Sequence, residues 1–196
     1  QRPDDVQFIN VLLDDLATVV NVDQRRIFAA GLSNGGSMCY RLAIELPDRI
    51  AAIASVAGTQ AIDSEPKRPV PVLHLHGTAD RFGRLEGRQR RGIVFPRLKS
   101  VQETIRIWCR INECPETPAV SDIPDKVSDG TTVSRHVFGP GVRGTEVVFI
   151  EIKGGGHTWP GEPAPADILG PTTFDVSAND LIWEFFQQHP MDSTRF

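Results

Sequence analysis

Short apolar runs alternate along this chain with segments whose apolar residues have helical spacing, and this alternation restricts the fold more than any other feature. Such runs, bounded by glycine or proline, are typical of strands buried on both faces of a sheet. Strands are predicted at 26–30, 50–57, 70–75, 131–138 and 146–152. Helices are predicted at 5–20, 36–46, 98–111 and 177–188, the last with Ser177 as its cap. The alternation predicts an α/β fold: a mainly parallel sheet flanked by helices.

The composition excludes several classes of protein. A chain of 196 residues that is 40% hydrophobic and 23% charged can bury a core, so it is neither disordered nor fibrous. The net charge of −4 gives no reason to expect nucleic acid or an anionic membrane as a partner, and no apolar run is long enough to span a membrane. Three cysteines exclude a dense disulfide framework. Cys109 and Cys114 could form one local bridge, but two free thiols are the favoured interpretation.

The segment Gly31-Leu32-Ser33-Asn34-Gly35 lies between a predicted strand and a predicted helix. A strand that turns sharply into a helix holds its central residue in a strained conformation and pushes that side chain outward. Residues 31 and 35 should then approach each other, so both are expected to need glycine. The N-terminus of the following helix favours negative charge near the Ser33 hydroxyl. The pattern indicates a nucleophilic serine; the alternative is a glycine-rich turn with an ordinary surface serine.

Two other predicted strands end in residues that could activate a serine. The strand at 70–75 leads to Asp80 through His-Gly-Thr-Ala, and the strand at 146–152 leads to His157 through a glycine-rich loop. The carboxyl ends of parallel strands share one edge of a sheet, so these side chains should gather near Ser33. The chain order Ser, Asp, His is that of α/β-hydrolases. We therefore predict Ser33 as nucleophile, His157 as general base and Asp80 as the acid that orients it.

Other assignments fit some of the same residues. Asp80 could be a turn residue that caps its own loop, which would leave Asp167 or Asp175 as the acid. His74 and His76 share one strand face and could bind zinc. Sheet packing or lining of the site is favoured for them, since no third ligand stands at a useful spacing.

Two neighbouring features are open to both a functional and an ordinary structural interpretation. Trp159, two residues after His157, would form a wall of a substrate pocket or be a buried aromatic residue. The segment 81–97 carries six arginines against the single acid Glu86. A solvated loop is the favoured interpretation of this segment, and a site for an anionic ligand is the alternative.

The motifs GLSNGG, HGTAD and GGGHTWPG, with the ending NDLIWEFFQQHP, resemble the polyhydroxybutyrate depolymerase-like esterases. This α/β-hydrolase family also holds feruloyl and acetylxylan esterases and the LpqC lipoproteins. The resemblance covers about residues 4–190 and implies a serine esterase that needs no cofactor or metal. It implies small or polymeric substrates with hydroxyalkanoate, hydroxycinnamoyl or acetyl ester groups.

The resemblance also implies roles for individual residues and a location for the protein. Ser33, Asp80 and His157 match the triad positions, and Asn34 matches the residue whose backbone N–H contributes to the oxyanion hole. Because members of the family are often exported, the resemblance predicts a secreted, periplasmic or lipoprotein-anchored protein.

The chain departs from this family in two places. Relatives often have a cysteine before the histidine loop that pairs with one like Cys114, and the stretch 138–148 has none. The family also has several strands before the nucleophile, with a His-Gly motif that supplies a second oxyanion donor, whereas 32 residues precede Ser33 and the only His-Gly is His76-Gly77. Residues 1–196 are therefore expected to form a single α/β-hydrolase domain without its first strands, the C-terminal part of a longer catalytic domain.

Three alternatives to an esterase remain at this point. A serine peptidase or an acyltransferase could use the same scaffold and triad, because the triad itself does not select esters. A binding module could also keep the fold without catalysis.

Overall fold

The computed structural model describes residues 4–83 and 99–192 and contains a six-stranded sheet with helices on both faces. The strands are β1 (Phe28–Leu32), β2 (Ala52–Val56), β3 (Val72–Gly77), β4 (Ala119–Ile123), β5 (Thr132–Phe138) and β6 (Val147–Lys153). Their order across the sheet is β1-β2-β3-β6-β5-β4. The first four strands in this order are parallel, and β5 and β4 continue the sheet as antiparallel strands.

Four α-helices cover the sheet. They are α1 (Asp5–Val19), α2 (Asn34–Glu45), α3 (Val101–Ile111) and α4 (Ala178–Gln188). Residues of α1, α2 and α3 share one core with Ile53 and Val72, and α4 forms the other core with the alternate strand residues Ala54 and Leu73. Because both faces are covered, β2 and β3 are buried throughout, as the sequence predicts. Within the described ranges no helix has the length and apolar character that crossing a membrane requires.

Strand β4 is missing from the sequence prediction. It has the sequence AVSDI, lies at the edge of the sheet and pairs only with β5 in the described part of the chain. Its first four residues are exposed, so no burial selects an apolar pattern in them. The strand is formed by backbone pairing with its neighbour, which an apolar pattern does not reveal.

The prediction for the nucleophile strand is wrong in position and in burial. The strand covers Phe28–Leu32 instead of 26–30, so Ser33 follows it directly. It is partly exposed along its length, because β1 is the other edge of the sheet and, among the described residues, pairs with β2 alone. The apolar sequence of β1 is therefore covered less than that of β2 or β3.

Helix α1 leaves much of its apolar surface in solvent. Val6 is its one buried residue, and Ile9 and Leu13 are half-buried against the core. Phe8 is 64% exposed and Val19 is 74% exposed. A large exposed apolar face and an open strand edge are both features of surfaces that associate.

The three cysteines are free thiols. Burial raises the pKa of Cys39 to about 12. Cys109 lies in the last turn of α3 and Cys114 follows that helix, where the Cys114 N–H donates to the Cys109 carbonyl at 2.8 Å. The neighbouring Cys114 thiol and burial raise the pKa of Cys109. The structure thus has two adjacent thiols here and not the local bridge.

The exposed face of α1 leads to a test of association. We expect the 196-residue chain to self-associate as its concentration rises, and Phe8→Lys to weaken this association by adding a charge to the apolar face. Sedimentation velocity over a concentration series measures the effect. Gln7→Lys is the matched control, since it adds the same charge at an exposed polar position of α1. A wild-type chain that stays monomeric throughout contradicts the prediction.

Candidate active site

Ser33 joins β1 to α2 in a strained turn. Its backbone has φ 57° and ψ −115°, a combination that non-glycine residues rarely adopt. The Ser33 N–H donates to the Val56 carbonyl at 2.8 Å, which ties the turn to β2. A serine before a helix usually accepts a hydrogen bond from the first turn, but Ser33 makes no such capping bond to the described residues of α2. Its hydroxyl is therefore not used to cap the helix.

The glycine on the strand side of this turn is required by packing. A Cβ atom at Gly31 would lie 2.5 Å from the carbonyl carbon of Gly35, well inside van der Waals contact. The expectation for Gly35 itself is wrong, since a Cβ there would meet no described atom within 4 Å. The two residues do approach each other, but only the side chain of residue 31 would point into the contact.

This asymmetry predicts opposite effects for two alanine substitutions. Gly31→Ala should lower the free energy of unfolding by more than about 2 kcal/mol, because the turn must open to admit the methyl group. Gly35→Ala should leave it unchanged or raise it by up to about 1 kcal/mol, because alanine is the better helix former. Urea unfolding of both variants measures the difference, and equal stabilities would show that the elbow is not sterically restricted.

Asp80 and His157 lie on adjacent loops and are hydrogen-bonded. Strands β3 and β6 are neighbours and parallel, so the loops at their carboxyl ends meet. The His157 Nδ1 atom is 2.7 Å from the Asp80 Oδ2 atom. A Cβ atom at Gly77 would collide with the carbonyl group of Gly155, so glycine allows this close approach of the two loops.

The Asp80 carboxylate is buried and surrounded by N–H donors. Its Oδ1 atom accepts the backbone N–H groups of Phe82 at 2.7 Å and Gly83 at 2.9 Å, and its Oδ2 atom faces His157 and His76. Burial alone would raise the pKa of Asp80, but these hydrogen bonds outweigh it and hold the pKa below its usual value. The ionised carboxylate fixes the proton of His157 on Nδ1, which leaves Nε2 able to accept a proton.

The alternative acids make other contacts. The Oδ1 atom of Asp175 accepts the backbone N–H groups of Lys126 at 2.7 Å and Val127 at 3.0 Å, so this carboxylate holds a loop. Asp167 is exposed in a short 3-10 helix. Of the three candidate acids, Asp80 is the one with a hydrogen bond to His157.

Ser33 lies at the same edge of the sheet as Asp80 and His157, because all three follow the carboxyl ends of parallel strands. Asn34 is exposed and is the first residue of α2, so its backbone N–H is one of those that have no partner inside the helix.

Two aromatic residues are close to His157, Trp159 in the chain and Phe82 in space, and Phe82 is not part of the sequence prediction. Trp159 is half-buried against the α4 side of the core, and its Nε1–H donates to the Asn179 Oδ1 atom at 3.2 Å. Phe82 is 53% exposed, and its ring centroid is 5.3 Å from that of His157. The sequence offers one signal for Phe82, its position two residues after the acid. Apart from Arg81, the arginines of 81–97 lie outside the described residues.

His74 and His76 are buried on β3 and hydrogen-bonded to one another, with His74 Nε2 at 3.2 Å from His76 Nδ1. The Tyr40 hydroxyl is 2.7 Å from His74 Nδ1, and His76 Nε2 is 3.0 Å from the Gly83 carbonyl oxygen. All four ring nitrogens therefore have hydrogen-bond partners. Residues 4–83 and 99–192 contain no group of three acidic, histidine or cysteine side chains that could hold a metal.

The burial of His74 leads to a pH-dependent stability. Burial and the neighbouring His76 hold the pKa of His74 well below its usual value, so the ring is neutral in the fold and protonated in the unfolded chain below about pH 6.5. The contribution of His74 to the free energy of unfolding is fully present above that pH, and it should fall by about 1.4 kcal/mol per pH unit below it. Urea unfolding at pH 7.5 and 5.5 measures the loss, which His74→Gln should reduce. The same loss in that variant would assign it to other groups.

Comparison of the chain with protein-family models gives no match. It is 34% identical over 200 residues to NocK of Nocardia uniformis subsp. tsuyamanensis, a protein named as an esterase, covering 94% of this chain and 58% of NocK. It is 26% identical over 194 residues to the bifunctional acetylxylan esterase/xylanase XynS20E of Neocallimastix patriciarum, covering 98% of this chain and 24% of that protein. It is 30% identical over 165 residues to feruloyl esterase B of Piromyces equi, covering 79% and 29%.

The chain is thus similar in sequence to proteins named as esterases. It spans about three fifths of NocK (58%) and smaller parts of the other two relatives. Among solved structures it resembles an acetyl xylan esterase from Aspergillus awamori, with a TM-score of 0.60 and 15% identity over 93% of this chain and 66% of that one. That likeness concerns the fold, a mixed α/β sheet with flanking helices of the α/β-hydrolase type.

Proposed function

We propose that this chain carries the nucleophile, base and acid of a serine carboxylic ester hydrolase. The observation that carries the proposal is the 2.7 Å hydrogen bond between His157 Nδ1 and a buried, ionised Asp80. The strained Ser33, whose hydroxyl does not cap α2, lies at the same edge of the sheet. Homology to proteins named as esterases supports ester hydrolysis as the reaction.

The proposed reaction has two acyl-transfer steps. His157 Nε2 takes the proton of Ser33 while the Ser33 oxygen attacks the ester carbonyl carbon. His157 then gives that proton to the departing alcohol, and an acyl group remains on Ser33. In the second step His157 takes a proton from water while the water oxygen attacks the acyl carbonyl carbon. The bond between that carbon and the Ser33 oxygen then breaks, His157 returns the proton to Ser33, and the acid is released. Asp80 stays ionised throughout and stabilises the positive charge that forms on His157.

The negative charge that develops on the carbonyl oxygen needs N–H donors. The backbone N–H of Asn34 is our candidate for one of them, because it lies at the N-terminus of α2, where N–H groups and the helix dipole favour negative charge. In the family that the chain resembles, a second donor comes from a His-Gly motif upstream of the nucleophile. The His-Gly of this chain is instead part of β3 and its loop. Each donor of this kind is worth about 10²–10³ in rate.

The substrate class follows from the relatives and the motifs. The relatives named as acetylxylan and feruloyl esterases favour acetyl or feruloyl esters. Hydroxyalkanoate esters are favoured by the motif resemblance alone. The exposed ring of Phe82 beside His157 would contact the group bound at the base, and Trp159 would line the same region from the α4 side. We propose that the protein is exported, because a location outside the cytoplasm fits these polymer-derived substrates.

Labelling by a fluorophosphonate tests the proposal at the level of one turnover. We expect the reagent to modify Ser33, as identified by mass spectrometry of the peptide, and Ser33→Ala to abolish the modification. Hydrolysis of p-nitrophenyl acetate should fall about 10⁴-fold or more in the same variant. Ser37→Ala is the matched control, because Ser37 lies one turn further along α2.

The outcomes separate the alternatives. Labelling of Ser33 with hydrolysis of acetyl, feruloyl or hydroxybutyrate esters supports the proposal, and comparison of these three substrates identifies the acyl group. Labelling of Ser33 with turnover of peptides alone would make the protein a peptidase. A chain that the reagent does not modify at Ser33 contradicts the proposed function.

A further inference from the structure

The carboxylate of Asp80 has a second imidazole neighbour besides His157. His76 Nε2 is 3.2 Å from Asp80 Oδ2, the same oxygen that His157 approaches at 2.7 Å. The His76 side chain is 1% exposed and belongs to β3, which lies between β2 and β6 inside the sheet. A ring in this position can move only slightly relative to the carboxylate.

The two neighbours of His76 Nε2 determine where its proton lies. The Gly83 carbonyl oxygen at 3.0 Å and the Asp80 carboxylate oxygen at 3.2 Å are both acceptors, so Nε2 must carry a hydrogen. In the neutral ring Nδ1 is then an acceptor, and it faces His74 Nε2 at 3.2 Å. With a neutral His76 ring, His74 is the donor in this hydrogen bond.

The same argument extends to the other end of the chain of hydrogen bonds. His74 is neutral in the fold, so the proton on its Nε2 leaves Nδ1 as an acceptor. The Tyr40 hydroxyl, 2.7 Å away and fully buried, supplies the donor. Tyr40, His74 and His76 thus form one series in which each group donates to the next, and the Nε2–H of His76 lies between the Gly83 carbonyl oxygen and Asp80 Oδ2.

We propose that His76 is a positioning residue for the triad, its Nε2–H shared between the Gly83 carbonyl oxygen and the Asp80 carboxylate, and held in that tautomer by His74 and Tyr40. The proposal rests on the proposed function for its kinetic consequence. Two backbone N–H groups bind Oδ1 of Asp80, the His157 N–H binds Oδ2 at 2.7 Å, and His76 Nε2 lies 3.2 Å from the same Oδ2. The donor from His76 opposes rotation of the carboxylate and keeps Oδ2 directed at His157 while His157 gains and loses its proton.

Nuclear magnetic resonance tests the tautomers without any need for turnover. Long-range ¹H–¹⁵N spectra of the full chain labelled with ¹⁵N-histidine should give the pattern of a neutral Nε2–H ring for both His74 and His76 at pH 7.5. An Nδ1–H ring or an imidazolium at His76 overturns the proposal, because the series would then run in the other direction. This readout is independent of whether the chain hydrolyses esters.

Substitutions of His76 test its effect on the reaction. Glutamine can place an amide N–H near the position of Nε2, whereas asparagine reaches only the position of Nδ1. We expect His76→Asn and His76→Leu to lower kcat about 10-fold to 100-fold with KM unchanged, the range for losing one hydrogen bond to a charged group. His76→Gln should recover most of the loss. His136→Leu, a half-buried histidine of β5, is the control that should leave kcat unchanged.

A double-mutant cycle separates a positioning role from a merely structural one. If His76 acts through Asp80, His76→Leu should have little further effect in a chain that already carries Asp80→Asn. Additive losses, or a His76→Leu variant that is folded by urea titration and retains the wild-type kcat, overturn the proposal. A wild-type chain that fluorophosphonate does not label at Ser33 would contradict the proposed function instead, and the tautomer spectra would still decide the position of His76.

Discussion

The buried carboxylate of Asp80 is the interaction on which the candidate site depends. A carboxylate out of water is stable only if donors replace its hydration. Here two backbone N–H groups of its own loop and the His157 imidazole donate to it, and His76 Nε2 lies 3.2 Å away. The two imidazoles come from different elements: His76 belongs to β3, and His157 to the loop after β6. The charge of Asp80 therefore links its own loop, which follows β3, to the loop after β6 that carries His157. Loss of either imidazole leaves the other less well oriented.

The parallel part of the sheet explains why these groups meet. Strands β1, β2, β3 and β6 run in the same direction, so their carboxyl ends and the loops that follow them share one edge. The acid and the base follow adjacent interior strands, and glycine at position 77 permits the contact between their loops. The antiparallel strands β4 and β5 extend the sheet on the far side of β6 and contribute none of the triad candidates.

The elements that sequence predicts well are those whose pattern reflects burial. Strands β2 and β3 are buried on both faces and read as continuous apolar runs, and α4 begins at the serine cap expected for it, with Ser177 accepting the Asp180 N–H. Strand β4 could not be predicted, because exposed edge residues form it by backbone pairing alone. The predicted position of β1 differs from the observed one because a glycine after an apolar run predicts the end of a strand, whereas this strand runs through Gly31 to Leu32.

The candidate site divides in the same way. The motifs indicate Ser33, Asp80 and His157, because each follows a strand and has the chemistry of an acyl-transfer group. The series from Tyr40 to His76 could not be predicted, since it joins α2 to alternate residues of β3 and depends on distances that a sequence does not contain. The direction in which the Cβ of residue 35 would point is likewise a property of the folded turn.

Ser33 follows an edge strand of the described sheet, whereas Asp80 and His157 follow interior strands. Local opening of a sheet begins where strands have fewest partners, and among the described residues β1 pairs with β2 alone. We therefore expect β1 to separate from β2 at a lower free energy than β3 separates from β2 and β6. The Ser33 hydroxyl therefore depends on the strand with the fewest described partners, and the Asp80 carboxylate and His157 imidazole do not. Local opening of β1 therefore changes the alignment of Ser33 before that of Asp80 or His157. A chain that hydrogen-bonded along β1 would restrict this motion without contacting Asp80 or His157.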